Sequence, residues 1–114
     1  MNVERINSNG RYHEAVIVGD MIYMSGKVCE GDTVAEQTKG TLAKIEEALA
    51  KFGSDKDHII AAACYLSDIA SFAEFNSVWD AWVTPGKEPT RTCVEAKLAA
   101  PKYMVEITIT AIKA

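Results

Sequence analysis

The sequence is poor in the residues that build metal centres and disulfide frameworks. Its 114 residues include two histidines, His13 and His58, and three cysteines, Cys29, Cys64 and Cys93, with no Cys-x-x-Cys spacing. Two isolated histidines are too few for a typical metal site, and an odd number of scattered cysteines favours reduced thiols. We therefore expect no metal, no disulfide and a cytoplasmic protein.

Basic runs and long apolar runs are absent as well. The net charge is −4, and no run of Lys or Arg forms a basic patch. Nucleic-acid binders usually carry such a basic footprint. No apolar stretch approaches the length of a membrane span, and no positively charged start precedes an apolar segment. A glycine-rich phosphate loop is also missing. We expect no membrane association and no cofactor, and the missing basic footprint disfavours nucleic acid as a partner.

Hydrophobic periodicity predicts short strands alternating with two helices. Residues 15–18 and 21–24 form two β-like runs joined by Gly19-Asp20, a good hairpin turn because glycine tolerates positive φ. The apolar run 59–66 predicts a strand that is buried on both faces or covered by helices. Two alternating runs near the C-terminus predict the last strands.

Each predicted helix begins with a capping-box pattern and ends at a helix breaker. These signals are Thr33 with Glu36 and then Gly53 for the first helix, and Ser71 with Glu74 and then Pro85-Gly86 for the second. The second helix spaces its aromatic residues for core packing rather than for a cofactor platform. We predict one domain over residues 1–114, an α+β or α/β sandwich with the helices layered on one sheet.

Arg91 and Glu106 are the residues with the clearest chemical potential. Each lies in a β-like run in a modestly charged chain. An arginine fork suits a substrate carboxylate, and a carboxylate held on a strand suits the handling of a water or a proton. The alternative is a solvated sheet face, because a polar residue at every second position is also what such a face requires.

A plain hairpin of the last two strands would not assemble a site from this pair. Glu106 would oppose Glu95, a destabilising pair of like charges, and Arg91 would lie on the order of 13 Å from Glu106. Either another strand separates the two residues, or the site is completed elsewhere in the assembly.

Several motifs in order resemble one known family over nearly the whole chain. They are Arg91-x-Cys93-Val94-x-x-x-Leu98 followed by Val105-Glu106-Ile107, and upstream Gly10-Arg11-Tyr12, residues 23–27, Gln37-Thr38 and residues 75–79. Together they are similar to the Rid family of reactive intermediate deaminases, also called the YjgF family, and within it to the compact YoaB-like branch.

This resemblance implies a chorismate-mutase-like fold, with one mixed β-sheet and two helices packed on one face, in a homotrimer with sites at subunit interfaces. It also implies a role for each matching residue. Arg91 would grip a substrate carboxylate, Glu106 would orient or activate water, and the backbone of Cys93 would line the site. Tyr12, Ser25 and Asn76 match further substrate-binding positions, although each could equally serve packing, a turn or a solvated helix.

The implied activity is a cofactor-free enamine/imine deaminase that hydrolyses 2-imino acids to 2-keto acids and ammonia. Two alternatives stay open: an endoribonuclease or translation inhibitor, which a salt titration of RNA binding would reveal, and a non-catalytic, carboxylate-binding or chaperone-like trimer. The chain departs from the family where Arg11 replaces a proline and where the loop after Ser25-Gly26 is shorter. Both departures concern the pocket mouth and therefore the substrate range.

Overall fold

The last strand of the chain lies in the interior of the sheet. A computed structural model describes residues 2–114, which form β1 (Val3–Ser8), β2 (His13–Val18), β3 (Met21–Met24), α1 (Val34–Lys51), β4 (Ile59–Leu66), α2 (Phe72–Trp82), β5 (Thr90–Glu95) and β6 (Val105–Ile112). The six strands pair in the order β1-β2-β3-β6-β4-β5, and only β4 and β5 run parallel. Both helices pack on one face, which confirms the predicted α+β architecture.

The hairpin of β2 and β3 turns at Gly19-Asp20 as predicted. Gly19 has a φ of 59° and the two strands pair antiparallel from Val18 with Met21 onwards. The prediction missed β1, which pairs antiparallel with β2 at the edge of the sheet. Its sequence, VERINS, is mostly exposed and carries a mixture of charged and polar residues, so it lacks the apolar alternation that identifies a strand.

Helix α1 follows its predicted signals closely. The Thr33 hydroxyl accepts a hydrogen bond from the Glu36 N–H at 3.1 Å, and Gly53 follows the helix with a φ of 80°. The reciprocal half of the capping box is shifted by one residue, because the Glu36 carboxylate accepts from the N–H of Asp32. The carboxylate still satisfies a backbone donor before the first turn.

The predicted capping box of α2 is wrong in its contacts, although the helix begins at the expected place. The Ser71 hydroxyl makes no capping bond and instead donates to the carbonyl of Asp68. The Glu74 carboxylate accepts from the N–H of Ala35 at 2.8 Å. Glu74 therefore caps the first turn of α1, where the helix dipole stabilises a negative charge. The same hydrogen bond links α2 to α1.

Strand β4 matches the second of its two predicted arrangements, because helices cover one face and only that face is fully buried. Ala62, Cys64 and Leu66 lie in the core under the helices, while the alternate residues are only half-buried. The opposite side of the central sheet, which we call the open face, has no helix over it. The open face comprises Tyr23, Ala61, Ala63, Tyr65, Thr92, Val94, Glu106, Thr108 and Thr110.

Gln37 joins α1 to two loops that border the site described below. Its side chain is fully buried, and its amide nitrogen donates to the carbonyls of Gly31 and Lys102 at 3.1 and 2.9 Å. Its amide oxygen accepts from the N–H of Met104 at 2.8 Å. One side chain thus satisfies three backbone groups that lie far apart in sequence.

Replacement of Gln37 by leucine should destabilise the fold by about 3 kcal/mol. The apolar side chain keeps much of the volume but leaves backbone groups of Gly31, Lys102 and Met104 without their hydrogen-bond partner. Urea unfolding measures the loss, with Lys39→Leu on the exposed side of the same helix as the control. Equal stability of the two variants would mean that the amide bonds contribute nothing.

Candidate functional site

Arg91 and Glu106 are separated by a strand, as one of the two sequence alternatives requires. Arg91 pairs with Ala62 of β4, and Glu106 pairs with Tyr65 of the same strand. Ala62 and Tyr65 are three residues apart and therefore point to opposite faces. The two Cα atoms are consequently roughly 14 Å apart, and the side chains leave the sheet in opposite directions. Within one chain, Arg91 and Glu106 do not meet.

Arg91 lies on the helix side of the sheet, against the aromatic residues of α2. The carbon of its guanidinium is 5.5, 5.6 and 5.2 Å from the ring centroids of Phe72, Phe75 and Trp79. One terminal nitrogen, Nη1, donates to Oδ1 of Asn76 at 2.8 Å. We call this cluster, with Cys93 beside it on β5, the arginine half-site.

No carboxylate within residues 2–114 pairs with the Arg91 guanidinium. Three aromatic rings and one amide contact the guanidinium, and Arg91 takes part in none of the ion pairs among residues 2–114. A half-buried arginine that serves structure normally pairs with a carboxylate, because an unpaired cation is costly to desolvate. The guanidinium is therefore held in place with its charge available for an anionic ligand.

The two cysteines of this region are poorly suited to nucleophilic chemistry. Cys64 and Cys93 are paired in register on β4 and β5. Burial raises the pKa of the Cys64 thiol to about 12, and burial also raises the pKa of Cys93, against the opposing effect of the Arg91 charge. Both groups are thiols at neutral pH, and only a thiolate is strongly nucleophilic.

Glu106 lies on the open face, in a pocket of about 370 Å³. We call this pocket the glutamate half-site, and it is lined by Tyr12, Ser25, Gly26, Val28, Ala99, Tyr103 and Glu106. The Ser25 hydroxyl donates to the carbonyl of His13 at 2.6 Å, so this side chain also holds the local chain path. Tyr12 is 58% exposed and Glu106 is half-buried, which leaves both groups accessible.

Gly26 allows the Glu106 carboxylate to occupy its position. A β-carbon placed on Gly26 would lie 2.5 Å from Oε2 of Glu106 and 3.1 Å from Oγ1 of Thr108. The carboxylate therefore rests against the backbone of Gly26. Glu106 belongs to none of the ion pairs formed within residues 2–114. Its oxygens remain free to accept hydrogen bonds from a ligand or a water.

The structure sorts the six residues singled out from the sequence into two groups. Arg91, Asn76 and Cys93 lie together in the arginine half-site, and Tyr12, Ser25 and Glu106 lie together in the glutamate half-site. The sequence prediction missed other residues near these groups. They are the rings of α2 around Arg91, Tyr103 in the glutamate half-site, and Tyr65, which pairs with Glu106 across the two strands. The aromatic spacing of α2 was visible in the sequence, and Phe75 and Trp79 do pack in the core. Because the spacing was interpreted as core packing alone, the contact of these rings with Arg91 was not predicted.

The described residues contain no cluster of three or more histidine, cysteine, aspartate or glutamate residues suited to a metal. None of the helices in residues 2–114 is long and apolar enough to cross a membrane.

Comparison with known proteins assigns the family. Residues 2–113 match the family model described as endoribonuclease L-PSP. The chain is 43% identical over 112 residues to the RutC family protein YoaB of Escherichia coli, covering 97% of this chain and 98% of YoaB. It is 39% identical over 111 residues to a RutC family protein of Haemophilus ducreyi, covering 96% of this chain and 95% of that protein.

A crystal structure of a YjgF family member from Neisseria meningitidis superimposes with a TM-score of 0.97 at 50% identity, covering 100% of this chain and 97% of that one. The fold and the sequence similarity therefore define a YjgF-type protein. The chain belongs to the RidA/YjgF/L-PSP family and is similar to its YoaB-like members.

Replacement of Gly26 by alanine should displace the Glu106 carboxylate while it leaves the fold intact. The new methyl group would collide with the flexible end of a side chain, so we expect a stability loss of only about 1 kcal/mol. A crystal structure of the variant would show the position of the carboxylate, and denaturant unfolding would give the stability. As a control, Glu106→Ala in the Gly26→Ala background should recover part of the loss. An unmoved carboxylate would contradict the steric argument.

Proposed function

We propose that this protein is a cofactor-free enamine/imine deaminase that hydrolyses small 2-imino acids to 2-keto acids and ammonia. The observation that carries the proposal is the Arg91 guanidinium, held by rings and an amide with no carboxylate partner. A substrate carboxylate would supply the missing anion through two charge-assisted hydrogen bonds. Membership of the RidA/YjgF/L-PSP family, together with the resemblance of the sequence motifs to the Rid deaminases, supports the same reaction class. The cytoplasmic location expected from the sequence remains a prediction.

The reaction requires only positioning and proton transfer. Water adds to the imine carbon of R–C(=NH)–COO⁻ to give a tetrahedral carbinolamine, whose C–N bond then breaks to release ammonia and R–C(=O)–COO⁻. Glu106 would accept a proton from the attacking water and return it to the leaving nitrogen. Arg91 would fix the carboxylate so that the imine carbon faces that water. Because imines hydrolyse spontaneously in water, a modest acceleration is sufficient.

A complete site would need two copies of the chain. Arg91 and Glu106 lie on opposite faces of one sheet, so a substrate that contacts both must lie between one chain and its neighbour. The open face supports such an assembly. It presents mainly alanine, threonine, valine and tyrosine side chains, with Glu106 as its one charged member. We propose a homotrimer with one site at each interface.

Replacement of Arg91 by lysine should lower deaminase activity and 2-keto acid affinity together, by about tenfold or more. Lysine keeps the charge but loses the planar fork and its stacking on the rings. The measurements are ammonia release from a freshly generated 2-imino acid and binding of 2-ketobutyrate. Arg5→Lys on the exposed edge strand is the matched control. If Arg91→Lys turned over imino acid as well as the parent protein does, Arg91 would not bind the carboxylate.

Replacement of Glu106 by glutamine should separate chemistry from binding. Glutamine preserves the shape but cannot accept a proton from water, so hydrolysis should fall by roughly 10²-fold or more. Affinity for 2-ketobutyrate should persist because Arg91 is unchanged. Both quantities are measured on the same sample. Unchanged turnover would remove Glu106 from the mechanism, and binding without any turnover in the parent protein would favour the non-catalytic carboxylate-binding alternative.

Mixing the two inactive variants should restore activity if neighbouring chains share each site. After co-refolding of Arg91→Lys and Glu106→Gln chains in equal amounts, about one quarter of the interfaces would join an intact Arg91 to an intact Glu106. Activity should rise towards that fraction of the parent value, in a species with three times the 12.4 kDa mass of one chain. A stable monomer at micromolar concentration would exclude the assembly. A trimer whose mixture stays inactive would show that Arg91 and Glu106 of neighbouring chains do not act on the same substrate.

A further inference from the structure

Phe72 is the exposed member of an otherwise buried group of rings around Arg91. Phe75 is 0% and Trp79 is 5% exposed, whereas Phe72 is 38% exposed. The Phe72 centroid is nevertheless only 5.5 Å from the guanidinium carbon, between the distances of the two buried rings, 5.2 and 5.6 Å. One side of this ring therefore contacts the cation while the rest remains open. Core packing explains Phe75 and Trp79, but it does not explain an open aromatic ring beside an unpaired cation.

A second exposed apolar side chain lies in the same segment. Ile69, three residues before Phe72, is 45% exposed, and its N–H donates to the Glu95 carboxylate at 3.0 Å. Glu95 shares a face of β5 with Arg91, so this bond fastens the segment over the end of that strand. The Asp68 carboxylate is also occupied, because it accepts from the N–H of Ala70 at 2.9 Å. Glu95 and Asp68 each accept a hydrogen bond from this segment's backbone, and the segment exposes two apolar side chains, Ile69 and Phe72.

We propose that Phe72 is a specificity-determining residue, whose open ring takes the apolar side chain of a 2-imino acid bound through its carboxylate to Arg91. The inference rests on the proposed function and narrows its substrate class. A carboxylate paired with the guanidinium brings the adjacent carbon and its substituent close to a ring that lies beside that cation. Apolar substituents gain from covering the ring, whereas a second carboxylate would have to be desolvated against it.

The preferred substrates are accordingly imino acids with aliphatic side chains, and those with acidic side chains are disfavoured. Discrimination by a hydrophobic wall is modest, about tenfold to a few hundredfold between side chains. Because the wall contacts the side chain in both the ground state and the transition state, its removal should raise KM more than it lowers kcat.

The test compares Phe72→Leu and Phe72→Ala with the parent protein. Imino acids are generated in place by an amino acid oxidase from alanine, leucine and glutamate, and kcat and KM are measured for each. Affinities for the three matching 2-keto acids are read from tryptophan fluorescence, since Trp79 is 5.2 Å from the Arg91 guanidinium. Val3→Ala, an exposed apolar residue on the opposite edge strand, is the control.

We expect Phe72→Ala to lower the preference for the leucine-derived over the glutamate-derived substrate by about tenfold, mainly through KM, and Phe72→Leu to retain most of it. The same ordering should hold for keto acid affinity. An unchanged preference would overturn the inference and leave the proposed function standing. A uniform loss for all substrates, together with a change in assembled mass, would overturn it too, because Phe72 would then be an interface contact. A parent protein that neither hydrolyses imino acids nor binds keto acids would refute the proposed function itself.

Discussion

The position of β6 between β3 and β4 is the constraint on which both half-sites depend. Its alternation is complete: Val105, Ile107, Ile109 and Ala111 are buried under the helices, and Glu106, Thr108 and Thr110 face the other way. A shift of one residue would send Glu106 into the core and expose the isoleucines, so burial fixes the register. Because β6 pairs with one side of β4, β5 pairs with the other side and lies at the sheet edge. Strand β4 therefore separates Arg91 from Glu106. The geometry of the site is therefore a consequence of core packing.

The environment of Arg91 shows how a cation can be held without neutralising it. Aromatic faces attract a guanidinium by about 0.5–2 kcal/mol each, and the Asn76 amide orients one of its nitrogens. A carboxylate in place of Asn76 would hold the side chain more firmly, but it would compete with any anionic ligand. The neutral arrangement keeps the fork ordered, so an incoming carboxylate bears less of the entropic cost of binding.

Much of the fold was predictable from local signals, whereas the site was predictable only in its parts. The turn at Gly19, the cap at Thr33 and the stop at Gly53 follow from backbone chemistry that does not depend on distant residues. The bond from Ala35 to Glu74 replaced the expected capping box of α2, because a partner on the other helix competed for that carboxylate. Such a contact depends on how α1 and α2 pack and leaves no trace in a short sequence window.

The order of the strands in the sheet also could not be predicted from the sequence alone. Like-charge opposition between Glu95 and Glu106 correctly excluded a hairpin, but it left open whether a strand or another chain separated the pair. Because β4 fills that gap, Arg91 and Glu106 point to opposite faces, and a single substrate cannot reach both within one chain. Chemistry that uses both residues would therefore require assembly. In such an assembly the covered open face would also exclude bulk water and strengthen the interaction of each charge with its ligand.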